Sequence, residues 1–314
     1  MEHIEISVVI PFCNEQDSLK ELFTVLIHVL SNIGEPYEVI LVDDGSTDKS
    51  AEVAKEMIGR HLNACLIRLR GNQGKTAALK AGFDRSQGNV VFTMDADLQD
   101  DPKEMPRFID ALDQGFDLIS GYKRKRCDPL LKRVASRLYN GFARMFTGIP
   151  IHDINCGFKA YRRSVIDELW LYGEMHRLTP LIAHWKHFNV GEITVEHHPR
   201  KYGVSKYNST RIFKGVMDLL TLSFLIRFYQ SPSHQFGKIG FISAMAGGCI
   251  CFYLILLRYL ELSGPMGDNP LLYLGMLMIV LGVQFLGLGF LAELQTFNAL
   301  KKDAPYIISE IVDQ

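Results

Sequence analysis

The sequence predicts an α/β fold: a Rossmann-like domain with a mostly parallel sheet, followed by an interfacial helix and two transmembrane helices. Three observations predict it. Short apolar runs alternate with segments of helical spacing, several of those runs end in carboxylates, and two long C-terminal stretches carry no charge. Strands alternating with helices imply a parallel sheet covered by helices. Such sheets bind ligands beyond the carboxyl ends of their strands.

In chain order, ISVVIPF reads as a first strand and SLKELFTVLIHVLSNIG as a helix stopped at Gly34. YEVILVDDGS is a second strand running into acid, KSAEVAKEMIGRH a helix, CLIRLR a third strand, GKTAALKAGFDRS a helix and NVVFTMDAD a fourth strand. Polar clusters fall where strands end: Pro11 to Glu15, Asp43 to Asp48 and Asp95 to Asp101. Solvation alone does not explain three in succession. Further on, Ile212, Val216, Leu219, Leu220, Phe224 and Leu225 recur at helical spacing, with Arg211, Lys214 and Arg227 placed to meet lipid headgroups. This predicts an interfacial helix; an amphipathic helix on the soluble domain is the alternative. Ile239 to Leu257 and Pro270 to Ala292 hold no charged residue, and each approaches the roughly 20 residues that cross a bilayer. ELSGPMGDNP connects them as a polar turn. Gly247, Gly248, Gly275, Gly282, Gly287 and Gly289 suit close helix packing in lipid, within one chain or between copies of a homo-oligomer. The expected division is 1–207 catalytic domain, 208–234 amphipathic interfacial segment, 235–300 transmembrane hairpin and 301–314 cytoplasmic tail.

The chain has 314 residues, 47% of them hydrophobic, so it can bury a sizeable core. Its net charge of −1 gives no reason to expect nucleic-acid binding. Cys13, Cys65, Cys127, Cys156, Cys249 and Cys251 form no C-x-x-C or zinc pattern, which predicts reduced thiols. MEHIEISVVIPF lacks a basic n-region and a long apolar stretch, so no signal peptide is expected. Arg211, Lys214, Arg227 and Lys238 precede the first span, and Lys301 and Lys302 follow the second. The connector has no Lys or Arg, although Arg258 lies near the outer end of the first span. The positive-inside rule then places both termini and the catalytic domain on the cytoplasmic side of the inner membrane.

Asp95-Ala96-Asp97 puts two carboxylates where the fourth strand ends. They face one ligand if the chain turns out of the strand there. Mg²⁺ uses one or two carboxylates plus substrate phosphates, and a diphosphate so neutralised leaves more readily. Taken alone, the pair is also compatible with a solvated acidic turn.

SVVIPFCNE, VILVDDGSTDKS, NQGKTAAL and MDADLQDDP, in that order, resemble the signatures of family 2 glycosyltransferases, which have the GT-A fold. DINCGFKAYRRSV, then HPRKYGVSKYN, then the two spans narrow the resemblance to polyprenyl-phosphate glycosyltransferases such as dolichol-phosphate mannose synthases and bactoprenol glucosyltransferases, over nearly the whole chain.

The resemblance implies roles. Pro11, Asn14 and Glu15 line a nucleotide pocket, Asp43 reads the base and ribose, and Asp44 and Ser46 support that loop. Asp44-Gly45-Ser46 also reads as a simple Asx turn. Lys75 and Ala96 complete the nucleotide-sugar set; Asp95 approaches the ribose or the metal, Asp97 is the principal ligand of Mg²⁺ or Mn²⁺, and Gln99 completes that shell. Lys123, Lys132, Arg133, Ser136, Arg200 and Lys206 are candidates for the acceptor phosphate, with Arg200 and Lys206 favoured because PRKYGVSKY matches the acceptor-side segment. Asp97, Asp153, Arg200 and Lys206 form the catalytic set. Asp153 reads as a base, a sugar-orienting group, a cation ligand, or a loop aspartate bonded to Asn155. His152, His176, His184, His187, His197 and His198 lack metal-ligand spacing and are expected in surface or packing roles.

The expected function is inverting transfer of one hexose from a nucleotide sugar to a polyprenyl phosphate. UDP-glucose and undecaprenyl phosphate are the expected pair, because two C-terminal spans look more like bacterial glucosyl carriers. Mannosyl and N-acetylhexosaminyl transfer are the alternatives. A processive polysaccharide synthase would carry Q-x-x-R-W, and neither Trp170 nor Trp185 follows an arginine. Intact Asp95 and Asp97 argue against an inactive nucleotide-sugar-binding scaffold.

Overall fold

The computed structural model describes residues 3–124, 141, 149, 151–171, 173–199, 201–202, 221, 232–260 and 269–300. The chain divides into two compact units, Met1–Thr221 and Leu222–Gln314.

In the first unit the described elements run β1 (Ile6–Phe12), α1 (Gln16–Ile33), β2 (Tyr37–Asp43), α2 (Ser50–Ile58), β3 (Ala64–Arg68), α3 (Lys75–Arg85), β4 (Val90–Thr93), α4 (Met105–Asp113), β5 (Leu118–Tyr122), β6 (Lys159–Arg162), α5 (Arg163–Glu168), α6 (Thr179–Trp185) and β7 (Val190–Thr194). The strands form one sheet in the order β3-β2-β1-β4-β6-β5-β7. β6 inserts antiparallel between β4 and β5; the other pairings are parallel. The α/β fold read from the sequence is therefore the observed one.

Leu19, Leu22, Phe23, Leu26, Val29 and Leu30 give α1 a buried stripe at helical spacing. The helix ends where Gly34 takes φ 83° and its N–H returns to Leu30 O, a left-handed cap that favours glycine. Phe92, Phe108 and Phe158 pack as an aromatic cluster in the core between the sheet and α4. α3 lies close on the sheet because Gly82 has no side chain: a Cβ there would overlap Val9 of β1. That approach sets the N-terminus of α3 near the carboxyl end of β4.

The fourth strand is shorter than the expected Asn89–Asp97. β4 stops at Thr93, Met94 N makes one last bond to Val9 O (3.2 Å), and the chain turns, with Leu98 at φ 59°. Asp95 and Asp97 thus leave the ladder and sit in the turn.

The second unit contains α7 (Pro232–Tyr259) and α8 (Pro270–Leu300). Ser233–Tyr259 and Pro270–Gln295 are long and apolar enough to cross a membrane. The two helices run antiparallel and touch through glycines. A Cβ on Gly240 would meet Gly282 O at 2.6 Å, and one on Gly247 would meet Gly275 O at 2.5 Å. Ser243 Oγ donates to Met278 O across the same seam (2.8 Å). Phe241, Phe252, Val283, Leu288 and Phe290 face outward. Of 208–234, only Thr221 and 232–234 lie among the described residues, and 301–314 lies outside them.

Candidate active site

The loops after β1 and β2 are stitched together by backbone N–H groups and short polar side chains. Asn14, at φ 55°, donates its backbone N–H to Ser46 Oγ (3.0 Å), and its Oδ1 accepts from Thr47 N (2.8 Å). Glu15 N donates to Ser50 Oγ (2.9 Å). Pro11 lies in β1 beside Val42 of β2.

Asp43 has no exposed surface. Its Oδ1 accepts from Ser46 N (2.8 Å), and Arg68 Nε lies 3.2 Å from its Oδ2. The expected base-reading carboxylate is here an organiser of its own loop. Asp44 fixes the next loop, accepting from Gln73 N (2.7 Å) and Gly74 N (3.0 Å). These bonds hold the entry to α3 against the end of β2. Gly45 sits at φ 70°, and a Cβ there would overlap the backbone of Gly71. Gly45→Ala therefore strains both loops. The expected result is a loss of about 2 kcal/mol or more in stability together with weakened nucleotide binding, measured by thermal unfolding and donor titration.

Lys75, at the start of α3, forms an ion pair with Asp95. Burial pushes the Asp95 carboxyl up, but the charge and hydrogen bond of Lys75, with Lys123 and Lys159 beyond, hold it below its usual range. Asp95 lies over Gly157, where a Cβ would come within 2.5 Å of its Oδ2. Ala96 is buried in the core. Asp97 Oδ1 accepts from Gln99 N (3.2 Å), and Gln99 Nε2 points to His198 O (3.4 Å). Asp95 and Asp97 suit a hard divalent cation whose remaining oxygens come from a diphosphate and water. Among the described residues no group of three His, Cys, Asp or Glu side chains could hold a metal by itself.

Lys123 closes on Asp100. Nζ lies 2.6 Å from Oδ1, and the two side chains are 12% and 0% exposed. Burial alone would depress the lysine, but Asp100, with Cys156 and Asp95 behind it, raises it so that the ammonium persists. Lys123 is thus committed to an internal partner, which the sequence did not indicate. Asp153 is 1% exposed and its Oδ1 accepts from Asn155 N (3.3 Å), the loop bond named as one of its alternatives. Lys132, Arg133, Ser136, Arg200 and Lys206 lie outside the described residues.

Lys159 was missed. It opens β6, flanked in register by Thr93 of β4 and Ser120 of β5, and is 3% exposed. Its Nζ donates to His176 O (3.4 Å). Burial pushes its pKa down to about 8; Cys156 and Asp153 oppose this, and Lys75 adds to it. Its one local sign was a lysine set between Phe158 and Ala160, which by itself does not mark a buried strand position. Nearby, Thr76 Oγ1 and His176 Nδ1 share a buried hydrogen bond of 2.8 Å, a packing role as expected of the histidines.

The native Lys159 pKa lies below the unfolded value, so between about pH 8 and 10.5 the unfolded chain holds a proton that the native state lacks. Stability from this group therefore rises with pH across that window, and its full penalty is present below it. Lys75, Asp95, Asp153 and Cys156 are the ionisable groups around it. Lys159→Met should flatten that rise and stabilise the protein at pH 7 by about 3 kcal/mol, read from unfolding curves at several pH values.

Residues 7–170 match the model of glycosyl transferase family 2. The chain belongs to glycosyl transferase family 2. This transferase is 35% identical over 100% of its length, and 94% of the relative's, to a dodecaprenyl-phosphate galacturonate synthase from Rhizobium johnstonii. It is 36% identical over 98% of its length, and 94% of the relative's, to an undecaprenyl-phosphate 4-deoxy-4-formamido-L-arabinose transferase from Edwardsiella ictaluri. Its fold resembles that of glucosyl-3-phosphoglycerate synthase from Mycobacterium tuberculosis, solved with Mn²⁺, UDP-glucose and phosphoglyceric acid. That match has a TM-score of 0.55 and 18% identity, and covers 70% of this chain and 80% of the other. The transferase has the GT-A fold.

Proposed function

We propose that this transferase moves a sugar from a nucleotide sugar to the phosphate of a polyprenyl lipid. The observation that carries this reading is the acidic pair Asp95 and Asp97, released from β4 beside Lys75, in a chain that also holds two helices long enough to cross a membrane. Both relatives are named for polyprenyl phosphates, which supports the same acceptor here.

A phosphate monoester is largely ionised near pH 7, with a second pKa of about 6. Its oxygen forms the new bond to the anomeric carbon as the bond from that carbon to the diphosphate breaks. The nucleoside diphosphate leaves with the electron pair, and the anomeric centre inverts. No proton has to be removed from the acceptor, so the protein's task is alignment and charge control. On this reading Asp153 positions its loop and is not needed as a base. Lys75 places a positive charge by the diphosphate at the N-terminus of α3. Bound to Asp95 and Asp97, Mg²⁺ or Mn²⁺ would neutralise charge on the leaving diphosphate. Arg200 and Lys206 are the proposed acceptor-phosphate contacts, with Lys132, Arg133 and Ser136 beside them.

The proposed division assigns 1–207 to catalysis, 208–234 to the membrane surface, 235–300 to the anchor and 301–314 to a tail. The distribution of Lys and Arg supports a cytoplasmic catalytic domain with both termini on the same side. UDP is the proposed nucleotide. The glucose expected from the two spans has no counterpart in the names of the two lipid-phosphate relatives, which carry galacturonate and 4-deoxy-4-formamido-L-arabinose. The test is the purified full chain in nanodiscs containing undecaprenyl phosphate, given a panel of nucleotide sugars with and without EDTA. The expected result is one glycolipid, lost with chelator; no glycolipid from any donor would overturn the assignment.

A further inference from the structure

Beside Asp95, inside the first unit, a narrow cleft of about 30 Å³, room for a group the size of a carboxylate, is lined by Lys75, Asn155, Gly157, Lys159, His176 and Arg177, among others. Its cations are not all matched. Lys75 is paired with Asp95, and Arg177 lies 3.1 Å from Glu174 Oε2. Lys159 has no carboxylate partner among the described residues; a backbone carbonyl at 3.4 Å is the one hydrogen bond it makes there. A buried ammonium left on one long neutral bond is costly in the empty protein. Such a group is retained where a ligand supplies the missing charge.

We propose that Lys159 receives the carboxylate of an acidic donor sugar, making the donor a nucleotide-linked hexuronate. This rests on the nucleotide-sugar reading above and narrows its substrate class. One positive charge is unmatched, which suits a singly charged carboxylate better than a doubly charged phosphate. The cleft adjoins Asp95, on the donor side of the site, whereas the proposed acceptor contacts lie on other segments. Asn155 lines the same cleft, and its side-chain amide can hydrogen-bond the carboxylate. Overall identity does not separate the two kinds of relative, at 35% and 36%; the unmatched cation beside Asp95 is the observation that favours an acidic sugar here. A carboxylate-free sugar leaves Lys159 unsatisfied, which is how a polar site rejects an analogue lacking the group it was built to bind.

The test compares UDP-galacturonate with UDP-galactose, and UDP-glucuronate with UDP-glucose, using the full chain in nanodiscs with undecaprenyl phosphate. Within each pair the donors differ in a carboxylate against a hydroxymethyl group. The expected result is glycolipid from a uronate donor, favoured over its neutral partner by about 30-fold or more in kcat/KM. Lys159→Met should collapse that ratio while raising the melting temperature, and Lys159→Arg should restore part of it. A lysine with only a structural role would lower both donors together and leave the ratio intact. Equal or better use of the neutral donor, or a ratio unmoved in Lys159→Met, overturns the inference while leaving lipid-phosphate transfer standing. No glycolipid from any donor overturns both.

Discussion

Asp97→Asn removes sugar transfer by about a thousandfold or more, equivalent to about 4 kcal/mol of transition-state stabilisation, with little change in the unfolding curve. Asp97 lies in the turn after β4, and its Oδ1 accepts from the backbone N–H of Gln99. Asparagine keeps that acceptor, so the turn persists, but it removes the negative charge that would face a cation at the diphosphate. The check is kcat/KM across a range of Mg²⁺ and Mn²⁺ concentrations, alongside thermal unfolding. Near-normal turnover with an unchanged metal requirement would show that Asp97 is not the metal ligand. A large drop in melting temperature would show instead that it supports the turn.

Lys123→Met is expected to cost about 3–5 kcal/mol of stability. Asp100 has no exposed side-chain surface, and Lys123 is its cationic partner at 2.6 Å among the described residues. Removing the ammonium alone leaves a carboxylate in the interior with nothing to balance it. The double change Asp100→Asn with Lys123→Met removes both charges and should recover most of the loss. A double-mutant cycle by chemical unfolding in detergent measures the coupling. If Lys123 instead served chiefly to hold the acceptor phosphate, Lys123→Met would unfold normally and raise the acceptor KM.

The parts of this molecule that the sequence made legible are those with a local signature. β1 and β2 are mainly apolar runs, interrupted by Ser7 and Glu38, α1 repeats its apolar residues at helical spacing and stops at a glycine, and α7 and α8 hold long charge-free stretches. β6 has no such mark. Lys159-Ala160-Tyr161-Arg162 is four residues with a charge at each end, and it becomes a strand because β4 and β5 leave a gap that it fills antiparallel. Long-range pairing of that kind leaves no trace in spacing. The acidic run 95–101 was conspicuous, yet its members differ in ways that only the third dimension sets. Asp95 meets Lys75, Asp101 accepts from Lys103 N at 3.0 Å, and Asp100 turns inward to Lys123. Lys159 was hidden for the complementary reason: a lysine in a strand ordinarily reads as solvent-facing, and its burial follows from the neighbours that β6 acquires on both sides.

The glycine seam between α7 and α8 bears on how this anchor holds together. Lipid tails offer helices no hydrophobic reason to associate, so cohesion there depends on close backbone approach between small residues. Gly240, Gly247, Gly275 and Gly282 make that approach inside one polypeptide. A second copy docking through the same four residues would first have to prise the hairpin open. The anchor is therefore self-sufficient, with an integrity independent of how many copies share the membrane, and it should survive dilution into nanodiscs holding a single chain.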